Sequence, residues 1–129
     1  MPNTISYKEL PIWQRAMQLV ADIYQMSAMV APSERLGLIT SLQEIAITIP
    51  AKLAAGTRRG RSGFQAACLS SQASVAEVET LVLIIQQAYP AAQLDDIFTD
   101  IDQLEHGLVT MIDRLGAHAT SSKSKPKTV

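Results

Sequence analysis

A proline set inside an apolar helical stripe constrains this chain more than any other feature. The stretch from Ser41 to Gly56 carries Leu42, Ile45, Ala46, Ile49 and Leu53 at three- and four-residue spacings. That is one face of a helix with a 3.6-residue period. Pro50 falls in the middle of the stripe with no turn residues around it. Its ring removes the bond from its own nitrogen to the Ala46 carbonyl and crowds that oxygen. A helix built this way is expected to kink at Pro50, and neighbouring helices must hold the kink.

Three further helices supply those neighbours. Pro11 opens the first, where a missing N–H is harmless. Trp13, Met17, Val20 and Tyr24 form one stripe on it, and Ile12, Ala16, Leu19, Ile23 and Met26 form the next. After a break at Ala31-Pro32-Ser33, Ser33 is placed to cap the second helix, expected over about 34–56. A glycine-rich basic connection follows, and Ser62 with Gln65 makes a capping-box pattern for a third helix over about 63–88. That helix carries Leu69, Val75, Val78, Leu81, Val82 and Ile85. The fourth, about 92–115, repeats Leu94, Ile97, Ile101, Leu104, Leu108, Met111 and Leu115, with Gly116 as its expected terminator. Four helices with short connections give an all-α, antiparallel up-down-up-down four-helix bundle over residues 1–117. Residues 118–129 read as a disordered basic tail, because they hold little to bury.

Composition narrows the class. Aromatics are 5% against 47% hydrophobic residues in all, so the core must be aliphatic. The single cysteine, Cys68, has no partner within the chain and suits a reducing compartment. No basic stretch precedes an apolar run at the N-terminus, and the apolar runs are broken by polar residues short of a membrane span. The expectation is a soluble cytoplasmic protein without a membrane partner. The net charge of −1 hides a sorting: residues 1–70 sum to +3 and residues 71–117 to −7, with three lysines in the tail. Such a chain has no overall attraction for nucleic acid, but it leaves room for a local basic patch.

Chemistry-bearing candidates are few. Gly56-x-x-x-Gly60-Arg61-Ser62 lacks the strand, spacing and lysine of a phosphate loop and reads as a basic turn. Asp95, Asp96, Asp100, Asp102 and Glu105 lack the glycine turn of a calcium loop and any Glu-x-x-His pair, so they read as a solvated face. His106 and His118 stand without a second catalytic or ligating residue at helical spacing, and Cys68 sits among Ala67, Leu69 and Ser70 as a small packed thiol. The reading is therefore a non-enzyme with no cofactor, no metal and no small-molecule substrate. Lys52, Arg58, Arg59 and Arg61 form the one dense basic group ahead of the tail. They are the candidates for contacting RNA or DNA phosphates; the competing reading is a solvated helix end.

Those residues also carry a resemblance. Leu10-Pro-Ile-Trp13-Gln-Arg-Ala16, Pro32-Ser-Glu34-Arg35-Leu-Gly-Leu38, Ile47-Thr-Ile-Pro50-Ala-Lys-Leu-Ala54-Ala-Gly56, Arg59 and Ala73-Ser74-Val-Ala-Glu77-Val-Glu79 form one pattern. With it the chain resembles the four-helix-bundle family encoded in intervening sequences of bacterial 23S rRNA genes. The accessory variability proteins of diversity-generating retroelements fall in the same family. The resemblance implies a homo-oligomer, a pentamer of bundles around a channel, with a basic surface that engages nucleic acid or a nucleic-acid enzyme. This chain has Gln43 and Glu44 where the family has two arginines, and Lys52 where it has asparagine. The alternative implied by those replacements is a structural or protein-interaction scaffold with no nucleic-acid role.

Overall fold

The computed structural model of the protein describes residues 6–30 and 37–123, with side chains up to residue 116. Regular structure among the described residues is entirely helical. A 3-10 turn, Tyr7–Glu9, leads into α1 (Pro11–Ala28), α2 (Leu38–Gly56), α3 (Gly60–Ala88) and α4 (Asp95–Lys123). Consecutive helices pack on one another, and α4 returns to α1. The result is the expected four-helix bundle, closed around one core.

That core is aliphatic and follows the helical period closely. Ile12, Ala16, Leu19, Ile23 and Met26 line it from α1, and Ile39, Leu42, Ala46, Ile49 and Leu53 from α2. Val75, Val78, Val82 and Ile85 enter from α3; Leu94, just before α4, and Ile97, Ile101, Leu104, Leu108 and Leu115 enter from the fourth side. Pro50 is buried, and α2 passes through it without a break. The second predicted stripe of α1 stays at the margin: Trp13 and Val20 are half-buried, while Met17 and Tyr24 are exposed. Tyr7 meets Trp13 edge to face, ring centroids 5.4 Å apart, at the corner where the 3-10 turn joins α1.

Several boundaries differ from the sequence expectation. The second helix starts at Leu38, because Gly37 ahead of it has φ +80° and cannot be helical. The proposed cap Ser33 lies outside the described residues. The third helix starts at Gly60, whose φ of +77° reverses the chain within three residues of α2. Ser62 then falls inside the first turn, Arg59 takes the cap position without a side-chain bond, and no capping box forms. The fourth helix starts at Asp95 with Asp96 in its first turn, favourable partners for the helix dipole. It then continues through Gly116 to Lys123, into the part of the chain expected to be a disordered tail. Residues 124–129 of that tail lie outside the described residues. Leu69, named with the apolar residues of the third helix, is exposed on the outside of α3.

The two inner seams are packed differently. Where α2 ends, a Cβ built on Gly56 would lie 2.5 Å from the Ala67 Cβ and 3.5 Å from the Phe64 Cα, so α2 and α3 touch through bare backbone. Between α1 and α4 the matching glycine is Gly107, whose Cβ would meet the Ile12 Cγ2 at 2.9 Å, a side-chain contact rather than a backbone one.

Two helices, α2 and α3, are long and apolar enough to cross a membrane by length and composition, with hydropathies of 1.2 and 1.4. Along the sequence the apolar runs of these helices are broken by polar residues. Scattered polar residues interrupt a run without lowering the average over a whole helix. Only 33% and 39% of those windows is buried inside the bundle. The balance includes Ile47 on α2 and Leu69, Leu83 and Ile84 on α3, all exposed. A groove of about 420 Å³ between the two helices is lined by Ser41, Ile45, Ala76, Glu77, Thr80 and Leu81.

Candidate nucleic-acid interface

The basic turn is built by the abrupt reversal between α2 and α3. Thr57, Arg58 and Arg59 donate backbone bonds to Leu53, Ala55 and Gly56 carbonyls at 3.1–3.2 Å, closing the end of α2. Gly60 then supplies the left-handed φ that starts α3 at once. Arg58 and Arg59 are exposed on this turn, and Arg61 is exposed in the first turn of α3. The stem of Arg59 lies over Gly63, where a Cβ would meet the Arg59 Cβ at 2.3 Å; glycine alone leaves room for that pose. Three guanidinium-bearing residues within four positions thus sit at one end of the bundle, Arg58 and Arg59 on the short hydrogen-bonded turn and Arg61 in the first turn of α3. The first turn of α3 beside them has backbone donors and no side-chain cap, a setting that favours anions.

Lys52 goes elsewhere. Its Nζ donates to the Ser74 Oγ at 2.6 Å, the Ser70 Oγ at 3.0 Å and the Ser70 carbonyl at 3.2 Å. All three ammonium donors are thereby directed at α3. Ser70 lies roughly 15 Å along α3 from its start at 1.5 Å per residue, so Lys52 is separated from the arginines. Burial pulls the Lys52 pKa below the ordinary lysine value, while the charge of Glu77 acts in the opposite direction. Lys52 behaves as a tie between helices. Nothing local in the sequence points to this pairing, since Ser70 and Ser74 lie 18 and 22 residues away.

The acidic residues collect toward the other end. Asp95, Asp96, Asp102 and Glu105 are exposed, as a solvated face requires, but Asp100 is only 9% exposed. Its Oδ2 is buried without a hydrogen-bond partner. Burial first, then the neighbouring Asp22 carboxyl and the charge of Asp96, push the Asp100 carboxyl up to about 7. Among the described residues, no group of three or more His, Cys, Asp or Glu side chains is arranged to hold a metal ion. His106 is exposed, and its carbonyl accepts from the Thr110 hydroxyl at 3.0 Å. His118 lies where side chains are not described. Cys68 is fully buried, and burial pushes its thiol up to about 11, which suppresses the thiolate a nucleophile needs.

Residues 8–110 match the family described as 23S rRNA-intervening sequence protein. No curated protein matches the chain significantly.

Proposed function

Given that the chain belongs to the 23S rRNA-intervening sequence protein family, we propose that it is a non-catalytic, homo-oligomeric, cytoplasmic helical bundle that binds RNA or DNA phosphates through Arg58, Arg59 and Arg61. The observation that carries the nucleic-acid part is the placement of those three exposed arginines together, two on a braced turn and one in the first turn of α3. Arginine forks suit phosphate oxygens, and a turn already fixed loses little freedom on contact. Such contacts release counterions, so binding is steep in salt and indifferent to sequence. The link to the accessory proteins of retroelements belongs to the same proposal, and a reverse transcriptase is the partner it suggests.

The oligomer reading is supported by the apolar exterior of α2 and α3. Leu69, Ala76 and Leu83 recur at seven-residue spacing on the outside of α3, and all three are exposed. A contiguous apolar face of this kind favours burial against another protein surface. In a ring of five copies the basic turn would repeat, and weak contacts would add through multivalency. Light scattering on the eluted protein should give about five times the 14.0 kDa chain mass, since a closed ring fixes an integer multiple. A monomer at micromolar concentration would overturn this part.

The competing reading, a protein-interaction scaffold, draws on Lys52, whose donors are already engaged, and on the acidic fourth helix. Filter retention of labelled RNA and DNA separates the two. The unmodified protein should retain them at about 50 mM salt and release them as salt rises. The triple variant Arg58→Ala, Arg59→Ala, Arg61→Ala should retain none while keeping the native mass. No retention by the unmodified protein at low salt would establish the scaffold.

A further inference from the structure

We propose that Asp22 on α1 and Asp100 on α4 share one proton across the α1–α4 seam. The pair forms a latch that holds the acidic end of the bundle at and below neutral pH and loosens once the proton leaves. The argument begins with an unpaired atom. Asp100 Oδ2 is buried with no hydrogen-bond partner, a costly position for a bare carboxylate oxygen. The helix opposite offers Asp22, a half-buried carboxylate whose Oδ1 already accepts from the Gln18 Nε2 at 3.0 Å. Two carboxylates can only repel each other, whereas a carboxylic acid can donate to a carboxylate. A proton on the Asp100 carboxyl, shared with the neighbouring Asp22, therefore removes one of two facing charges and spares Asp100 a bare buried carboxylate oxygen.

The surroundings favour the proton over a counter-ion from the chain. The groove beside Asp100 is lined by Pro11, Gln14, Arg15, Gln18 and Gln103, with Arg15 as its one cationic residue and no contribution from α3. Asp96, one turn earlier on α4, adds a further negative charge, and the neighbouring groove holds Asp22 and Asp96 together. Arg15 is exposed, so water screens its charge. The sign of the linkage follows. The folded chain keeps this proton between the ordinary aspartate value of 3.8 and about 7, where the unfolded chain has lost it. Stability is full below that window, falls as pH rises through it, and is lowest above it.

Carboxyl-carbon NMR of the unmodified protein tests the proton directly, and urea unfolding tests its consequence. One carboxyl of the pair should titrate near neutrality, the step belonging to the pair rather than to one residue. The folded-to-unfolded ratio at fixed protein concentration should fall at least about tenfold from pH 5.5 to 8.5, a discount from the full shift for partial exposure. In Asp22→Asn the new amide can donate to the Asp100 carboxyl without a titrating proton, and the fall should shrink, with the part that comes from the burial of Asp100 remaining. Both carboxyls titrating near 4, or an Asp22→Asn protein with the unmodified pH dependence, would overturn the latch. The NMR measurement needs no variant, so a variant that fails to fold does not leave the question open.

Discussion

The α2–α3 seam and the α1–α4 seam join helices of one small bundle by opposite means. At the first, Gly56 brings backbone against the Ala67 Cβ, and Lys52 fastens the next turns to Ser70 and Ser74. At the second, Gly107 faces a side chain, and a buried carboxyl lies near the middle of the contact. Steric fit, helped by one lysine tie, closes the first seam. The other depends on the protonation of two carboxyls far apart in sequence. Neighbouring helix pairs in a single core can therefore differ in what governs them, and the same substitution made in each should reveal it.

The largest difference is expected from Gly56→Ala. The new Cβ would overlap the Ala67 Cβ, which is fixed to the α3 backbone and cannot rotate away. The helices must part, at a cost of about 2 kcal/mol in urea unfolding. Combining it with Ala67→Gly should recover about half of that, since the overlap is removed but a helix-interior glycine is introduced. A second measurement sharpens the role of the lysine. Lys52→Met keeps the aliphatic stem and removes the ammonium, so the loss should be about 1 kcal/mol, the worth of its hydrogen bonds to the two serines. The smallest effect belongs to the other seam. In Gly107→Ala the Cβ meets the Cγ2 of Ile12 in the first turn of α1, and helix propensity gains almost 1 kcal/mol. Thermal unfolding should place it within about 0.5 kcal/mol of the unmodified protein. Equal losses at Gly56 and Gly107 would erase the contrast.

The bundle was legible in the sequence because its core obeys one period. Of the stripe Leu94, Ile97, Ile101, Leu104, Leu108, Met111 and Leu115, all but the half-buried Met111 are buried. Helix ends were less legible. Ser62 and Gln65 match a capping pattern, yet backbone freedom at Gly60 starts the helix earlier, and a local motif cannot report that a three-residue reversal is available. Leu69 lies six residues before Val75 and off the stripe of Val75, Val78, Val82 and Ile85; in that Ala- and Ser-rich segment Ala67, Cys68, Ser71 and Ser74 face inward instead. The arginines of the turn could be listed from their proximity in sequence. Lys52 was grouped with them for the same reason, and its engagement with α3 appears only in three dimensions. Asp100 is the clearest case: counted among solvated acids, it is buried opposite a residue from the far side of the chain.

The position of the aromatic rings decides what an optical probe can witness. Trp13 is the sole tryptophan, and it stands with Tyr7 at the corner where the chain enters α1, half-buried at the margin of a core whose fully buried side chains include no aromatic among the described residues. Intrinsic fluorescence consequently reports the fraying of that corner, whereas circular dichroism follows the helices as a whole. When the two signals disagree, the fluorescent transition marks the local release of the entry segment from the bundle, and no collapsed folding intermediate need be invoked.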